Sequence, residues 1–451
     1  MNSIDSLLKQ RPFPYSEVFV HPPLDRPAFG KDGNVREDID PAIAAVCKNE
    51  SNCTLFFADG TWFTTWSQGS FEHALNEQIV FATSTDMGRT WTAPRRIIGS
   101  NPDERIAYGA PFIVPGSERI YLFFFAGNQA IGWNGPEYDS GNLWFVYSDD
   151  RGDTWSERQM IPLPDRDIST FSGRFHGWIN HPPKLMPTGE VLLPVSMFPS
   201  TWPKRMRAWM TLPAEVSVVR CDNILTEQDP EQLRFTLLPE GPRGIRADVR
   251  AQWDNPALQR LMTAFNAVPY ESAYNFQEMT LLALSDGRWV GVGRTFLGSP
   301  GYTVSEDQGQ TWSAVEPLCY APDGPPIEHP MTMCPVTQTS DGRIILLFTN
   351  NDGTRRGAKH VWEGEGRTRN PQWLAVGREI PGEKRNGGLQ FGEPLLLAEV
   401  DDTGETNLKT GISMPQFLER EGRYFVMYNI NKEHVLLDEL PAEMLKAAEP
   451  R

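Results

Sequence analysis

Ser84-Thr85-Asp86-Met87-Gly88-Arg89-Thr90-Trp91 decides the fold, because it recurs. Ser148-Asp149-Asp150-Arg151-Gly152-Asp153-Thr154-Trp155 and Ser305-Glu306-Asp307-Gln308-Gly309-Gln310-Thr311-Trp312 keep Ser, Asp, Gly, Thr and Trp at the same spacing. Each copy follows a strand-like run: Gln78 to Thr83, Leu143 to Tyr147, and Gly301 to Val304. The pattern is that of a hairpin turn. The Asp side chain can accept from backbone N–H groups of its own turn. The Gly permits positive φ where the chain reverses. The Ser and Thr hydroxyls can satisfy the remaining turn groups, and the Trp starts the next strand and packs beside it. These aspartates would look like paired catalytic acids to a motif search, but the turn chemistry makes them structural.

Working outward, Asp86 to Asp150 leaves room for one four-stranded unit and Asp150 to Asp307 for two or three. A second recurring element is a Gly-centred hairpin before an apolar strand, as in Pro187-Thr188-Gly189, Ser285-Asp286-Gly287-Arg288 and Ser340-Asp341-Gly342-Arg343. Units are read at Ala42 to Trp91, Tyr108 to Trp155, from His181 to Arg220, Glu278 to Trp312, Met333 to Val376, and Gly411 to Leu437. The last would be completed by N-terminal strands. This predicts an all-β propeller with six four-stranded antiparallel blades, seven being the alternative, as a single domain over residues 1–451. Residues 227–270 fit no blade and are read as an insertion or irregular blade. Helix-period runs are scarce, the best being Leu440 to Ala448.

Composition agrees. Of 451 residues, 39% are hydrophobic, and 38 Gly and 38 Pro punctuate an aromatic-rich chain, which favours many short strands. The net charge of -16 argues against nucleic acid as a partner. A local arginine cluster could still hold an anion. No apolar run approaches the roughly 20 residues of a membrane helix. The start lacks a basic segment followed by an apolar one, so a cytoplasmic location is expected, against which stand only two glycosylation triplets at Asn49 and Asn52. The five cysteines are scattered, with neither disulfide nor zinc spacing. No cofactor is read from the sequence; a structural Ca2+ is the one ion left open. Nothing in the sequence sets the oligomeric state.

The three boxes, with Glu278-Met279-Thr280-Leu281-Leu282-Ala283-Leu284-Ser285-Asp286-Gly287-Arg288 and Gly293-Arg294-Thr295, resemble the sialidase (neuraminidase) superfamily from about Ala42 to Leu437. The motif is specific for architecture and not for reaction. The resemblance implies three arginines on a substrate carboxylate, an Asp acid/base and a Tyr–Glu nucleophile pair. Glu278 and Arg294 match family positions. The first arginine's Arg-Ile-Pro segment is missing. The stretch opening the last blade is Gly411-Ile412-Ser413-Met414-Pro415-Gln416-Phe417, with Met414 and no Tyr. The loop that should carry the Asp reads Glu72-His73-Ala74-Leu75-Asn76-Glu77. The departures point to a divergent member that is not a true sialidase.

Four clusters are candidates for chemistry. Arg174, His176, Trp178, Asn180 and His181 sit together in Gly173 to Pro183, with two of the chain's seven histidines. His moves protons near neutral pH, Arg clamps a carboxylate, and Trp offers a flat face to a sugar. The bland reading is that they cap strands and pack a blade. The Trp66 to Gln78 loop holds Gln68, Glu72, His73, Asn76 and Glu77, at the end of its hairpin opposite the box; otherwise it is a solvated loop. Glu278 and Arg294 flank a hairpin and would orient substrate or form a structural ion pair. His329, Asn350 and Arg369 lie in successive loops, with Arg369 the choice for a further carboxylate ligand.

These residues predict an exo-acting glycoside hydrolase on a terminal acidic sugar. His73, His176, Glu72 and Glu278 would be catalytic; Gln68, Arg174, Trp178, His181, Arg294, Asn350 and Arg369 would bind the carbohydrate. One alternative is a lyase cleaving a rhamnose–glucuronate type glycan, an Arg neutralising the uronate while a His removes the α-proton. The other is a carbohydrate-binding propeller without turnover.

Overall fold

The computed structural model describes residues 8–20, 48–69, 77–99, 105–127, 142–168, 175–199, 213–250, 274–351, 369–401 and 411–450. Two short strands come first, β1 (Leu8–Gln10) and β2 (Pro14–Val20). Sheet one is β3 (Lys48–Phe56), β4 (Trp62–Gly69), β5 (Gln78–Ser84) and β6 (Arg95–Gly99). Sheet two is β7 (Arg105–Ile113), β8 (Ile120–Gly127), β9 (Asn142–Ser148) and β10 (Gln159–Met160). Sheet three holds β11 (Phe175–Trp178), β12 (Lys184–Leu185), β13 (Val191–Pro199), β14 (Glu215–Cys221) and β15 (Phe235–Leu238). Sheet four is β16 (Gln277–Ala283), β17 (Trp289–Arg294), β18 (Gly301–Ser305) and β19 (Glu316–Pro317). Sheet five holds β20 (Val336–Gln338), β21 (Ile344–Phe348), β22 (Gln372–Glu379), β23 (Leu389–Phe391) and β24 (Leu395–Val400), and β1 pairs with β24. Sheet six is β25 (Ile412–Arg420), β26 (Arg423–Ile430) and β27 (His434–Leu440), with β2 beside β27. A short helix, α1 (Ala442–Ala447), follows. The antiparallel sheets are the six blades of a β-propeller. The chain forms two compact units, Val18–Gly244 and Met1–Glu17 with Ile245–Arg451.

In the first unit, alternate side chains of sheets two and three interdigitate, among them Phe123, Phe145, Val195 and Val219. Fully burying each such side chain is worth about 1.5–3 kcal/mol. In the second, Leu347, Val376, Val426 and Leu436 join sheets five and six, and Val290, Tyr302, Leu346 and Phe391 join sheets four and five.

The three boxes form the turns β5–β6, β9–β10 and β18–β19. In the first, Thr90 donates to Asp86 through its N–H at 2.9 Å and its hydroxyl at 2.7 Å. Ser84 donates to Asp86 at 2.8 Å and accepts from the Gly88 N–H at 2.9 Å. Asp150 and Asp307 repeat the pattern with Thr154 and Thr311. The Thr90 and Thr154 contacts hold the Asp86 and Asp150 carboxyls at about 2. Left-handed backbone is used twice per turn, at Met87 and Gly88 in the first box. The tryptophans do not start the next strand, as the sequence reading expected: β6, β10 and β19 begin several residues later. Trp91 and Trp312 instead close the turn, donating to the Gly88 and Gly309 carbonyls at 3.0 Å.

Within residues 227–270, read as an insertion or irregular blade, β15 is the outer strand of sheet three, paired with β14; residues 251–270 lie outside the described set. Asn49 and Asn52 are buried in β3, so the folded protein offers no glycosylation acceptor there. The Leu440 to Ala448 expectation corresponds to α1.

One backbone device repeats in four first strands. The pairing of β3 with β4 shifts between Glu50 and Cys53, β7 with β8 between Ala107 and Ala110, β16 with β17 between Gln277 and Thr280, and β25 with β26 between Ser413 and Gln416. Each shift inserts one residue, a β-bulge. The first bulged residue is left-handed each time: Ser51 (φ 55), Tyr108 (φ 61), Glu278 (φ 51) and Met414 (φ 54). Such backbone is costly for a non-glycine residue and is retained only where the surroundings impose it. Opposite the Glu278 bulge stands Gly293, where a Cβ would lie 2.6 Å from the Gln277 carbonyl oxygen.

Candidate functional site

In the unit containing Ile245–Arg451, the β16 bulge turns Glu278 toward the end of β17. Gln277 faces Arg294 across the strands, and Arg294 Nη1 donates to Glu278 Oε2 at 3.3 Å. Both side chains are buried, 8% and 5% exposed. Arg294 Nε is buried and makes no hydrogen bond. Arg369 is likewise buried, and among the described residues its guanidinium has no hydrogen bond or ion pair. Its backbone is fixed on both sides. Asn370 exchanges hydrogen bonds of 2.9 and 3.0 Å with Val400, and the Arg369 carbonyl accepts from the Ile412 N–H at 2.9 Å.

The charges of both arginines act on His329, which is fully buried. Thr349 N–H donates to its Nδ1 at 3.3 Å, so the proton is assigned to Nε2, which faces the Thr332 carbonyl at 2.9 Å. Burial lowers its pKa to about 4, and the positive charges of Arg294 and Arg369 push the same way. His329 is therefore neutral near pH 7 and neither neutralises nor repels the arginines. Cys334 is buried beside the same groups, and burial, then Glu278, raise its thiol pKa well above the ordinary range, so it stays protonated. The cluster holds two buried cations with Glu278 as the acid bonded to one of them, a charge balance suited to accepting an anion.

Asn350 does not join this cluster. Its Oδ1 accepts from the Tyr320 hydroxyl at 3.5 Å, and it lines a cavity of about 880 Å3 with Tyr320, Gln390, Phe391 and Glu393. The neighbouring Thr349 takes the His329 side instead, as alternation along the chain leaving β21 requires.

In the unit Val18–Gly244, Gln68 belongs to a buried ladder. Asn49 Oδ1 accepts from Trp66 Nε1 at 3.0 Å and Gln68 Nε2 at 3.4 Å, while Gln68 Oε1 accepts from Gln78 at 3.1 Å. Trp178 is not an open platform for a sugar, contrary to the sequence reading. It is 7% exposed, with its ring 4.0 Å from Phe198 and 6.1 Å from Tyr108. It packs the blade because Gly177 lets the strand approach Phe125, where a Cβ would come within 2.6 Å. His181 is half-buried, and Asn180 before it accepts from Ser51 Oγ at 3.3 Å. The backbone of His176 lies in β11 opposite Phe198. Glu72, His73 and Arg174 lie outside the described residues.

Sequence reasoning did not connect Cys334 to the Glu278–Arg294 pair or Thr349 to His329. The bulge was the available signal, but nothing in the sequence marks a left-handed Glu or Met. Among the described residues, no group of three His, Cys, Asp or Glu side chains could hold a metal ion.

The sequence matches the model of the BNR repeat-like domain over residues 60–425. No curated protein matches it. Among solved structures, the chain is similar to a Hadza microbial sialidase, with 14% identity, a TM-score of 0.56, and coverage of 90% of this chain and 66% of that one. It is similar to the Trypanosoma rangeli sialidase in complex with sialic acid, with 12% identity, a TM-score of 0.52, and 98% and 59% coverage. A third is the intramolecular trans-sialidase of Ruminococcus gnavus in complex with oseltamivir carboxylate, with 14% identity, a TM-score of 0.57, and 88% and 95% coverage. The chain spans less than two thirds of the length of the first two. At these identities the likeness establishes the fold alone. With its three Asp-box turns and six blades, the chain belongs to the BNR repeat-like domain family.

Proposed function

We propose that the protein is an exo-acting glycoside hydrolase whose substrate carries a terminal acidic sugar. The observation that carries this reading is two buried guanidinium groups, Arg294, which donates to Glu278, and Arg369, which among the described residues has no hydrogen bond or ion pair. Burying an unpaired arginine costs several kcal/mol, and a bound carboxylate would offset that cost through two parallel hydrogen bonds. Glu278 holds Arg294 in place, and the neutral His329 leaves the positive field intact. The solved structures of sialidases with sialic acid and with oseltamivir carboxylate support an acidic ligand for this fold. His73 and His176 are the sequence-based candidates for moving the proton, and Glu72 for assisting it.

The test is a panel of sialosides and uronate-terminated glycans read by released reducing sugar and by ultraviolet absorbance. Reducing sugar without new absorbance is the expected result. Absorbance of an unsaturated uronate would replace hydrolysis with elimination. Binding without turnover, unchanged in His73→Ala and His176→Ala, would reduce the protein to a binding module. Failure to bind any acidic glycan would overturn the reading.

A further inference from the structure

We infer that His329 is the positioning residue of the anion site, tying the segment that follows Arg294 to the segment beside Arg369; the inference rests on the reading of the preceding section. His329 lies in the crossing from sheet four to sheet five, after β19 and before β20. Its backbone is bonded to the blade of one arginine and its ring to the blade of the other.

Toward sheet four, the His329 N–H donates to the Gly298 carbonyl at 3.0 Å. Gly298 belongs to the turn that directly follows Arg294. Thr295 closes that turn: its hydroxyl donates to the Ser299 carbonyl at 2.8 Å and accepts from the Leu297 N–H at 3.0 Å. Toward sheet five, His329 Nδ1 accepts from the Thr349 N–H, and the Thr349 hydroxyl lies 3.3 Å from the same nitrogen. Thr349 follows Phe348, whose carbonyl accepts at 3.0 Å from Gln372 Nε2, in the strand that begins just after Arg369. One buried residue thus links both arginine-bearing segments, and the charges of both arginines act on its ring.

The chemistry of the position accounts for an imidazole. A carboxylate here would occupy the guanidinium donors that a ligand needs, and an ammonium would repel both cations. A neutral imidazole with its proton on Nε2 offers an acceptor to Thr349 and a donor to the Thr332 carbonyl 2.9 Å away, and adds no charge. Two guanidinium groups grip one carboxylate well only when their spacing is held to about 0.5 Å.

Two amide variants separate the two ring contacts. An asparagine Oδ1 sits where Nδ1 does and keeps the Thr349 bond. A glutamine Nε2 sits where the ring Nε2 does and keeps only the Thr332 bond, which is internal to the crossing. The probes are free sialic acid and free glucuronic acid, titrated into the full-length protein and followed by NMR. His329→Gln should weaken the acid that binds by about ten-fold or more, whereas His329→Asn should stay within about two-fold of wild type. Each variant loses a ring contact at the same buried site, so their denaturant midpoints should fall alike. A residue that only filled the core would lose affinity and stability in step. A double-mutant cycle gives a second readout. With Arg369→Met in place there is no spacing left to hold, so adding His329→Gln should weaken binding no further. The cycle decides even where His329→Asn fails to fold. If the two amide variants weaken binding equally, or if the effects of His329→Gln and Arg369→Met multiply, the assignment of His329 falls while wild-type binding keeps the anion site. If wild type binds neither acid, the anion site falls and His329 with it.

Discussion

The bulged strands of residues 18–244 and of residues 245–451 share one backbone and differ in what it carries. In the former, Ser51 bonds to Asn180 and lies in the strand that carries the Asn49–Trp66–Gln68 ladder, while Tyr108 packs against Trp178. In the latter, Glu278 meets an arginine, and a second arginine lies buried without a counter-ion among the described residues. The first arrangement joins neutral donors and acceptors and specifies a core. The second buries charge, which on the proposed reading a bound anion offsets. The same bulge thus carries neutral side chains in one unit and a charged one in the other, and on the proposed reading the charged one serves binding.

Arg369→Met is the strongest way to break the comparison. It should weaken an acidic sugar by a hundred-fold or more, while the thermal midpoint stays level or rises, because an unpaired buried charge is removed. Gln68→Leu should do the reverse, leaving affinity within about two-fold and lowering stability by about 1 kcal/mol. Calorimetric titration with thermal melts reads both. Equal loss of stability in the two variants would erase the distinction.

A pH series sharpens it. His329 titrates at about 4 in the folded protein against 6.5 ordinarily, so the folded state binds fewer protons than the unfolded between these values. Its contribution to stability falls as pH drops through that window. Burial raises the Asp438 carboxyl from 3.8 to about 6, although Arg11 Nε donates to it at 2.6 Å. Its contribution grows as pH drops from 6 toward 4. The two oppose, each on the order of 3 kcal/mol. Urea unfolding at pH 7, 5.5 and 4.5 should show Asp438→Asn losing stability toward acid and His329→Gln gaining it. Parallel slopes in both variants would contradict these assignments.

Smaller effects test the bulge itself. Gly293→Ala should cost about 1–3 kcal/mol, because the new methyl meets the Gln277 carbonyl. Ser51→Gly relieves strain and loses the Asn180 bond, so its net change should stay within about 1 kcal/mol. A large loss on Ser51→Gly, by denaturant midpoint, would show the hydrogen bond to outweigh the backbone.

The fold was legible because the box turns are local. Ser84, Asp86 and Thr90 satisfy one another within a few residues, and the sequence writes that chemistry out in full. Glu278, Arg294 and Arg369 were singled out in the sequence, the first two by their family positions and the third by its loop, and the structure buries all three. Trp178 was misread because aromatic rings in loops and in cores look alike until Phe198 is seen beneath one. A one-residue change of direction after Phe348 sends Thr349 to His329 and Asn350 to Tyr320 and the cavity, and no residue type announces it. The bulges were invisible for a related reason: the sequence shows Ser, Tyr, Glu and Met where the backbone would prefer glycine.

Residues 8–10 and 14–20 complete sheets five and six, and Arg11 joins Asp438 across 427 positions of chain. During synthesis these early segments wait on the ribosome without partners until residues 395–400 and 434–440 emerge. Until then β1 and β2 have no strand to pair with, and the half-made protein exposes open hydrogen-bonding edges to its neighbours. Placing the first strands after the last by circular permutation should shorten that wait and raise the yield of folded protein.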